Sequence, residues 1–301
     1  MGHQPECGSR AARKRLMRLL KFATPAGPAL GVEVRDRVVD LTARGFSFGT
    51  WESAIAAGAT AVAEAARLAA AGTGEHALAA VRLLAPLRPG KYLAIGMNYR
   101  KHAQEAESLG IEAPKRQFWF NKQTTCINGP FDDIDPGVSE QVDYEVELGV
   151  VIGRAAKSVR AEDAHEHIFG YVVANDVSAR DWQFHSPTFT VGKSFDTHGP
   201  IGPWIVTADE IADCHKLDLR CFVNGELRQS SNTSQLIHNI YQQIEYLSTA
   251  FTLEPGDLLA TGTPEGVGVA RKPPVFLKAG DVVRCEIDGV GAIENRIAPR
   301  R

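Results

Sequence analysis

The sequence predicts a β-rich α+β protein, a sandwich or roll with peripheral helices, and three observations carry that expectation. Beyond residue 90, short runs such as 92–95, 204–206, 217–223 and 282–287 are rich in β-branched or aromatic residues and bounded by turn formers. Asn224-Gly225 joins two such runs, and that dipeptide supplies the positive φ angles of a type I′ hairpin. Helical patterning is confined to an alanine-rich stretch, 51–71, closed by Gly72, and to about 234–251. Strands that do not alternate with helices argue against a doubly wound parallel sheet.

In chain order, residues 1–16 carry Arg10, Arg13, Lys14 and Arg15 without the apolar core of a secretory signal. They read as a leader without fixed structure, a short targeting segment, or chain preceding a true start at Met17. From Met17, the runs 19–22, 29–34 and 37–41 are punctuated by Gly and Pro and predict a small antiparallel sheet. With the 51–71 helix they form a small N-terminal α/β domain over 17–88. Pro86-Leu87-Arg88-Pro89-Gly90 reads as the linker, and the main domain occupies 90–301. A chain of 301 residues suits one large domain and one small one.

Net charge is −3, with no Lys/Arg block interleaved with aromatics, so nucleic acid is not an expected partner. No apolar run approaches the ~20 residues needed to span a bilayer, so no membrane span is expected. The five cysteines show no C-x-x-C spacing. That pattern suits free thiols in a reducing, cytoplasmic setting and excludes a disulfide frame or a structural zinc site.

The chemistry centres on Val142-Asp143-Tyr144-Glu145-Val146-Glu147-Leu148. In a strand, residues two apart share a face, so Glu145 and Glu147 project into one space. Like charges that close repel unless a cation lies between them. Asp176 follows a second strand-like run, 169–175. Three carboxylates without Cys or His suit a hard divalent ion, Mg²⁺, Mn²⁺ or Ca²⁺. Glu-x-Glu on a solvated strand face is the plainer reading of the pair taken alone.

Other clusters surround this core. His102 and Glu105 are three apart, so on a helical turn they touch, and a carboxylate-held imidazole is a competent general base. An incidental surface pair is the alternative. Arg180, one helical turn past Asp176, is placed to receive a substrate carboxylate or to make a structural Asp–Arg pair. Lys193 could stabilise an oxyanion or be a surface charge. The glycine-rich segment 261–268 fails both P-loop and dinucleotide spacing. Its backbone amides could bind a carboxylate, or it could be a tight structural turn.

Together these segments resemble the fumarylacetoacetate hydrolase family. The resemblance rests on Gly96-Met97-Asn98-Tyr99 with His102 and Glu105, on 143–148, on Asn175-Asp176-Val177-Ser178-Ala179-Arg180-Asp181, on Gly192-Lys193, and on Thr261-Gly262-Thr263-Pro264 with Gly266-Val267-Gly268. It covers nearly all of 90–298, and 271–278 is similar to the domain-containing-protein-2 branch. The resemblance implies a mixed β-sandwich roll, usually homodimeric. It also implies Mg²⁺ (or Mn²⁺ or Ca²⁺) on Glu145, Glu147 and Asp176, and a catalytic His102–Glu105 dyad on a lid. Arg180, Gln183 and Lys193 would line the substrate site, with Gly262-Thr263 binding a substrate carboxylate. Asp143, without a ligand role, is expected to orient its neighbours.

The expected substrate is a small oxo acid. The first reading is a Mg²⁺-dependent hydrolase of 2,4-dioxo acids of the acylpyruvate or fumarylpyruvate type, in which His102 activates water and Lys193 supports the departing enolate. The second is an isomerase, tautomerase or decarboxylase of an oxo-diacid, oxaloacetate among them, using the same enolate without attack by water. A protein that binds metal and carboxylate without catalysis is the third.

Overall fold

The computed structural model describes residues 17–108, 110 and 112–300. The leader expected over 1–16 lies outside the described residues.

The fold is a β-rich α+β architecture in which one large mixed sheet is packed on both faces. Its centre is the strand Val146–Ile152, which pairs antiparallel with Ile168–Asn175 on one side and Leu258–Ala260 on the other. Leu258–Ala260 in turn runs parallel to Tyr92–Gly96, which pairs antiparallel with Phe118–Lys122. At the other edge, Arg18–Thr24 pairs with Gly199–Thr207, so the N-terminal strands continue the same sheet.

Every residue of Val146–Ile152 is buried. A strand covered on both faces reads as a continuous apolar run. Its even-numbered members, from Val146 to Ile152, pack with Leu219, Cys221, Val283 and Ile293 of a second, four-stranded antiparallel sheet. Val151 instead faces the core built on Trp51, Ile55 and Ala65 of the N-terminal helices. Gly149 is required because an added Cβ would lie 2.6 Å from Val172 Cγ2. The hairpin at Asn224-Gly225 forms with φ of 52° and 80°.

Two helices differ from expectation. The 51–71 stretch divides at Gly58, whose φ of 67° ends Trp51–Ala57 before Ala59–Ala70 begins. The helix expected from about 234 starts only at Ile240, because Asn239 and Gln242 form a capping box there. Thr233–Gln235 makes a separate 3₁₀ turn.

Candidate metal and acid–base site

The strand expected through 142–152 is interrupted. Val142–Asp143 pairs with Ser178–Ala179, Val146–Ile152 pairs with Ile168–Asn175, and Tyr144-Glu145 forms the step between them. That step is latched from both sides. The Glu145 amide donates to Asn175 Oδ1 at 3.0 Å, and the Asp176 amide donates to the Glu145 carbonyl at 2.9 Å. The latch gathers Glu145, Glu147 and Asp176, all buried, so that one oxygen from each lies within 4.8 Å of the others.

The cations absent from the acidic segment arrive from elsewhere in the chain. Lys193 Nζ donates to Glu145 Oε2 at 2.7 Å and to Asp176 Oδ2 at 2.8 Å. Arg180 donates from Nε to Asp143 Oδ2, from Nη2 to Glu145 Oε1 and from Nη1 to Gln183 Oε1. Lys122, to which sequence spacing gives no role, donates to Asp176 Oδ1 at 2.5 Å and to the His198 carbonyl at 3.0 Å. It closes the Phe118-Phe120-Lys122 row on one strand face, and a lysine in an apolar row is the signal that could have found it.

The electrostatics follow from these contacts. Burial would raise the Glu145 carboxyl, but Lys193 and Arg180 overcome it and hold the group at about 2. Glu147 goes the other way: burial, then the charges of Asp176 and Glu145, push it well above the usual carboxylate range. Burial alone would lower Lys193, and Asp176 and Glu145 raise it instead.

The glycine-rich turn does bind carboxylates, and they are the protein's own. The Gly262 amide donates to Glu147 Oε2 at 2.8 Å, the Gly266 amide to Glu105 Oε1 at 3.0 Å, and the Gly268 and Val269 amides to Asp143 at 2.8 and 3.0 Å. Gly266 needs φ of 101°, and a Cβ there would meet the Arg228 carbonyl at 2.1 Å. Thr263 Oγ1 donates to the Val146 carbonyl and accepts from Gln229 Nε2, a second contributor that sequence spacing gave no reason to single out.

His102 and Glu105 lie on the helix Arg100–Ser108, with Nδ1 and Oε2 3.0 Å apart. His102, Glu105, Glu145, Glu147, Arg180, Gln183, Lys193 and Thr263 all line one cavity of about 300 Å³. Asp176 is fully buried behind it, held by the two lysines, and Gly262 supports Glu147 from outside the lining. Asp143 is buried and accepts from Arg180 Nε at 2.9 Å.

The residues fit a hard divalent ion. The donor set is all oxygen. Glu147 gives one oxygen to Gly262, and its other oxygen has no hydrogen-bond partner among the described residues. An ammonium already bridges the other two carboxylates, so cationic charge is accommodated at this spot. No helix among the described residues is long and apolar enough to cross a membrane.

Residues 91–298 match the family model for the fumarylacetoacetate (FAA) hydrolase C-terminal domain. An oxaloacetate tautomerase of Xenopus laevis, named as mitochondrial, is 45% identical over 292 residues, covering 93% of this chain and 90% of the relative. A solved 5-carboxymethyl-2-hydroxymuconate delta-isomerase from Mycobacterium smegmatis superposes with a TM-score of 0.73 at 34% identity, covering 94% of this chain and all of the other. A maleylpyruvate hydrolase from Sphingobium sp. SYK-6, solved with manganese(II) and pyruvate, gives 0.79 at 32% identity and covers 95% of this chain and all of its own.

Proposed function

The chain belongs to the fumarylacetoacetate hydrolase family and is an enzyme of it, and we propose that it is a divalent-metal-dependent tautomerase of 2-oxo acids, interconverting enol and keto forms. Oxaloacetate is the first substrate to test, because it appears in the name of the Xenopus laevis relative. The observation that carries this reading is the convergence of Lys193, two metal-type carboxylates and the His102–Glu105 pair on one cavity. Both the named tautomerase and the solved isomerase favour it over the hydrolase reading.

Glu145, Glu147 and Asp176 would hold Mg²⁺, with Mn²⁺ the alternative. When bound, the ion supplies Lewis acidity toward the carboxylate and C2 oxygen of a 2-oxo acid. The chain's own groups do the rest. Lys193 places positive charge where the C2 oxygen becomes anionic as the enol O–H proton leaves. His102, fixed by Glu105, delivers a proton to C3, and C2 recovers its carbonyl. Arg180 holds Glu145 and Asp143 in place, and Gly262 holds Glu147. Apolar walls around the cavity exclude water that would quench the charge differences.

A hydrolase of 2,4-dioxo acids remains the second reading, since the acid–base pair it needs is intact. A proton NMR time course with Mg²⁺ or EDTA separates the two. Metal-dependent loss of the oxaloacetate enol supports tautomerisation, whereas pyruvate plus a second acid released from acetylpyruvate supports the hydrolase. We expect a homodimer, to be checked by light scattering. Four free, buried cysteines among the described residues suit a reducing compartment, cytoplasm or mitochondrial matrix.

A further inference from the structure

The wall of the cavity opposite in character to its carboxylates is aromatic, and its rings form a connected row. Phe120 lies 5.1 Å beneath Lys193 Nζ, Phe189 is 6.1 Å from Phe120, and Phe184 meets Phe189 edge to face at 5.4 Å. The row therefore starts at the ammonium and runs outward to Phe184, which is 66% exposed. The exposed Phe184 ring belongs to the cavity lining, so it lies within reach of whatever the cavity holds.

Backbone strain gives a second, independent observation. Phe189 sits at φ of 60° and Met97, also in the lining, at φ of 53°. For a bulky residue the left-handed region is an outlier, and such outliers persist where surrounding structure enforces them, often at ligand sites. Here both strained residues turn an apolar side chain toward the same space.

The charged groups complete the case. Among the described residues of the lining, Arg180 spends its donors on Asp143, Glu145 and Gln183, and Lys193 bridges Glu145 and Asp176. Both cations are engaged chiefly by the protein's own groups, so the aromatic row forms the uncharged side of the cavity.

We propose that the group on C3 of the preferred substrate is apolar and aromatic, so that the enzyme tautomerises aryl-substituted 2-oxo acids such as phenylpyruvate. This rests on the tautomerase reading and specifies its substrate class. The step is balanced internally: the enol oxygen gives up one proton, C3 gains one, and the C2–C3 double bond becomes the C2 carbonyl. Aromatic edges and faces along the row hold the substrate ring, and Met97 offers a polarisable contact beside it.

The test follows enol decay of phenylpyruvate and of oxaloacetate by ultraviolet absorbance on the full chain with Mg²⁺. Wild type is compared with Phe184→Ala and with Phe189→Asn, a residue that tolerates the left-handed backbone. The expected result is a higher kcat/KM for phenylpyruvate, with the phenylpyruvate-to-oxaloacetate ratio falling about tenfold in each variant. Thermal unfolding of both variants confirms that they are folded. Turnover of oxaloacetate with no acceleration of phenylpyruvate would overturn the aryl assignment and leave the tautomerase standing. An unchanged ratio in both folded variants would overturn it as well, and turnover of neither substrate would remove both readings.

Discussion

Lys122 Nζ and Asp176 Oδ1 form an ion pair at 2.5 Å in which both side chains are completely buried. Its partner on the other carboxylate oxygen is Lys193. Removing one member of such a pair leaves an uncompensated charge, typically a loss of roughly 3–5 kcal/mol. Lys122→Met is therefore expected to destabilise the metal-free protein by about that amount. Added Mg²⁺ should recover part of the loss by neutralising Asp176. Thermal unfolding in EDTA and in Mg²⁺ measures the difference between the two conditions.

Glu147 is the carboxylate whose charge the protein alone does not balance. Glu147→Gln should unfold at or above the wild-type temperature in EDTA, because Gln keeps the oxygen that accepts from Gly262 and cannot ionise beside Asp176 and Glu145. It should lose most of the stabilisation by metal, about 2.7 kcal/mol for wild type at a hundredfold excess over Kd. Since burial and its acidic neighbours hold Glu147 protonated to higher pH than usual, metal must displace that proton. Wild-type affinity should then rise with pH, by up to about tenfold per unit while Glu147 titrates. Calorimetric titration at several pH values reports both the affinity and the proton released.

The His102–Glu105 pair predicts a separation of binding from turnover. His102→Ala is expected to lower kcat by about 10²–10⁴-fold while leaving Mg²⁺ affinity within about twofold of wild type. Glu105→Gln keeps the shape but weakens the orienting contact, so a smaller loss is expected. Steady-state kinetics alongside calorimetry distinguish this from a general loosening of the site, which would weaken both.

His198 contributes to acid sensitivity. Burial, reinforced by Lys122, lowers it to about 3 from 6.5, so it is neutral in the folded protein. The unfolded chain takes up its proton near 6.5. The stability is therefore complete above that pH and is lost as pH falls from 6.5 toward 3, at about 1.4 kcal/mol per unit. Urea unfolding of wild type and His198→Gln between pH 7 and 4.5 should show the wild type losing ground to the variant.

Much of this was legible in the chain because it follows from local periodicity. Glu145 and Glu147 both line the cavity, His102 reaches Glu105 over one helical turn, and Asn224-Gly225 makes its hairpin. Contacts made across the fold were not legible. Nothing local shows that Arg180 donates to three side chains, or that the glycine-turn amides go to Glu105, Glu147 and Asp143 in place of a ligand. Lys122 resembles a surface lysine until the row it closes is seen to be interior. The step at Tyr144-Glu145 was hidden for a similar reason: its cause, the Asn175 side chain, lies thirty residues away.

Asp143, Glu145 and Asp176 are matched one for one by Arg180, Lys193 and Lys122, and burial beside Asp176 and Glu145 pushes the Glu147 carboxyl toward its neutral form. A newly made chain can therefore finish folding without capturing an ion on the way. Under the metal-dependent function proposed above, loading of the ion would be a separate, later event in the life of the molecule. A cell short of the ion would accumulate intact, dormant enzyme that awakens on resupply without new synthesis.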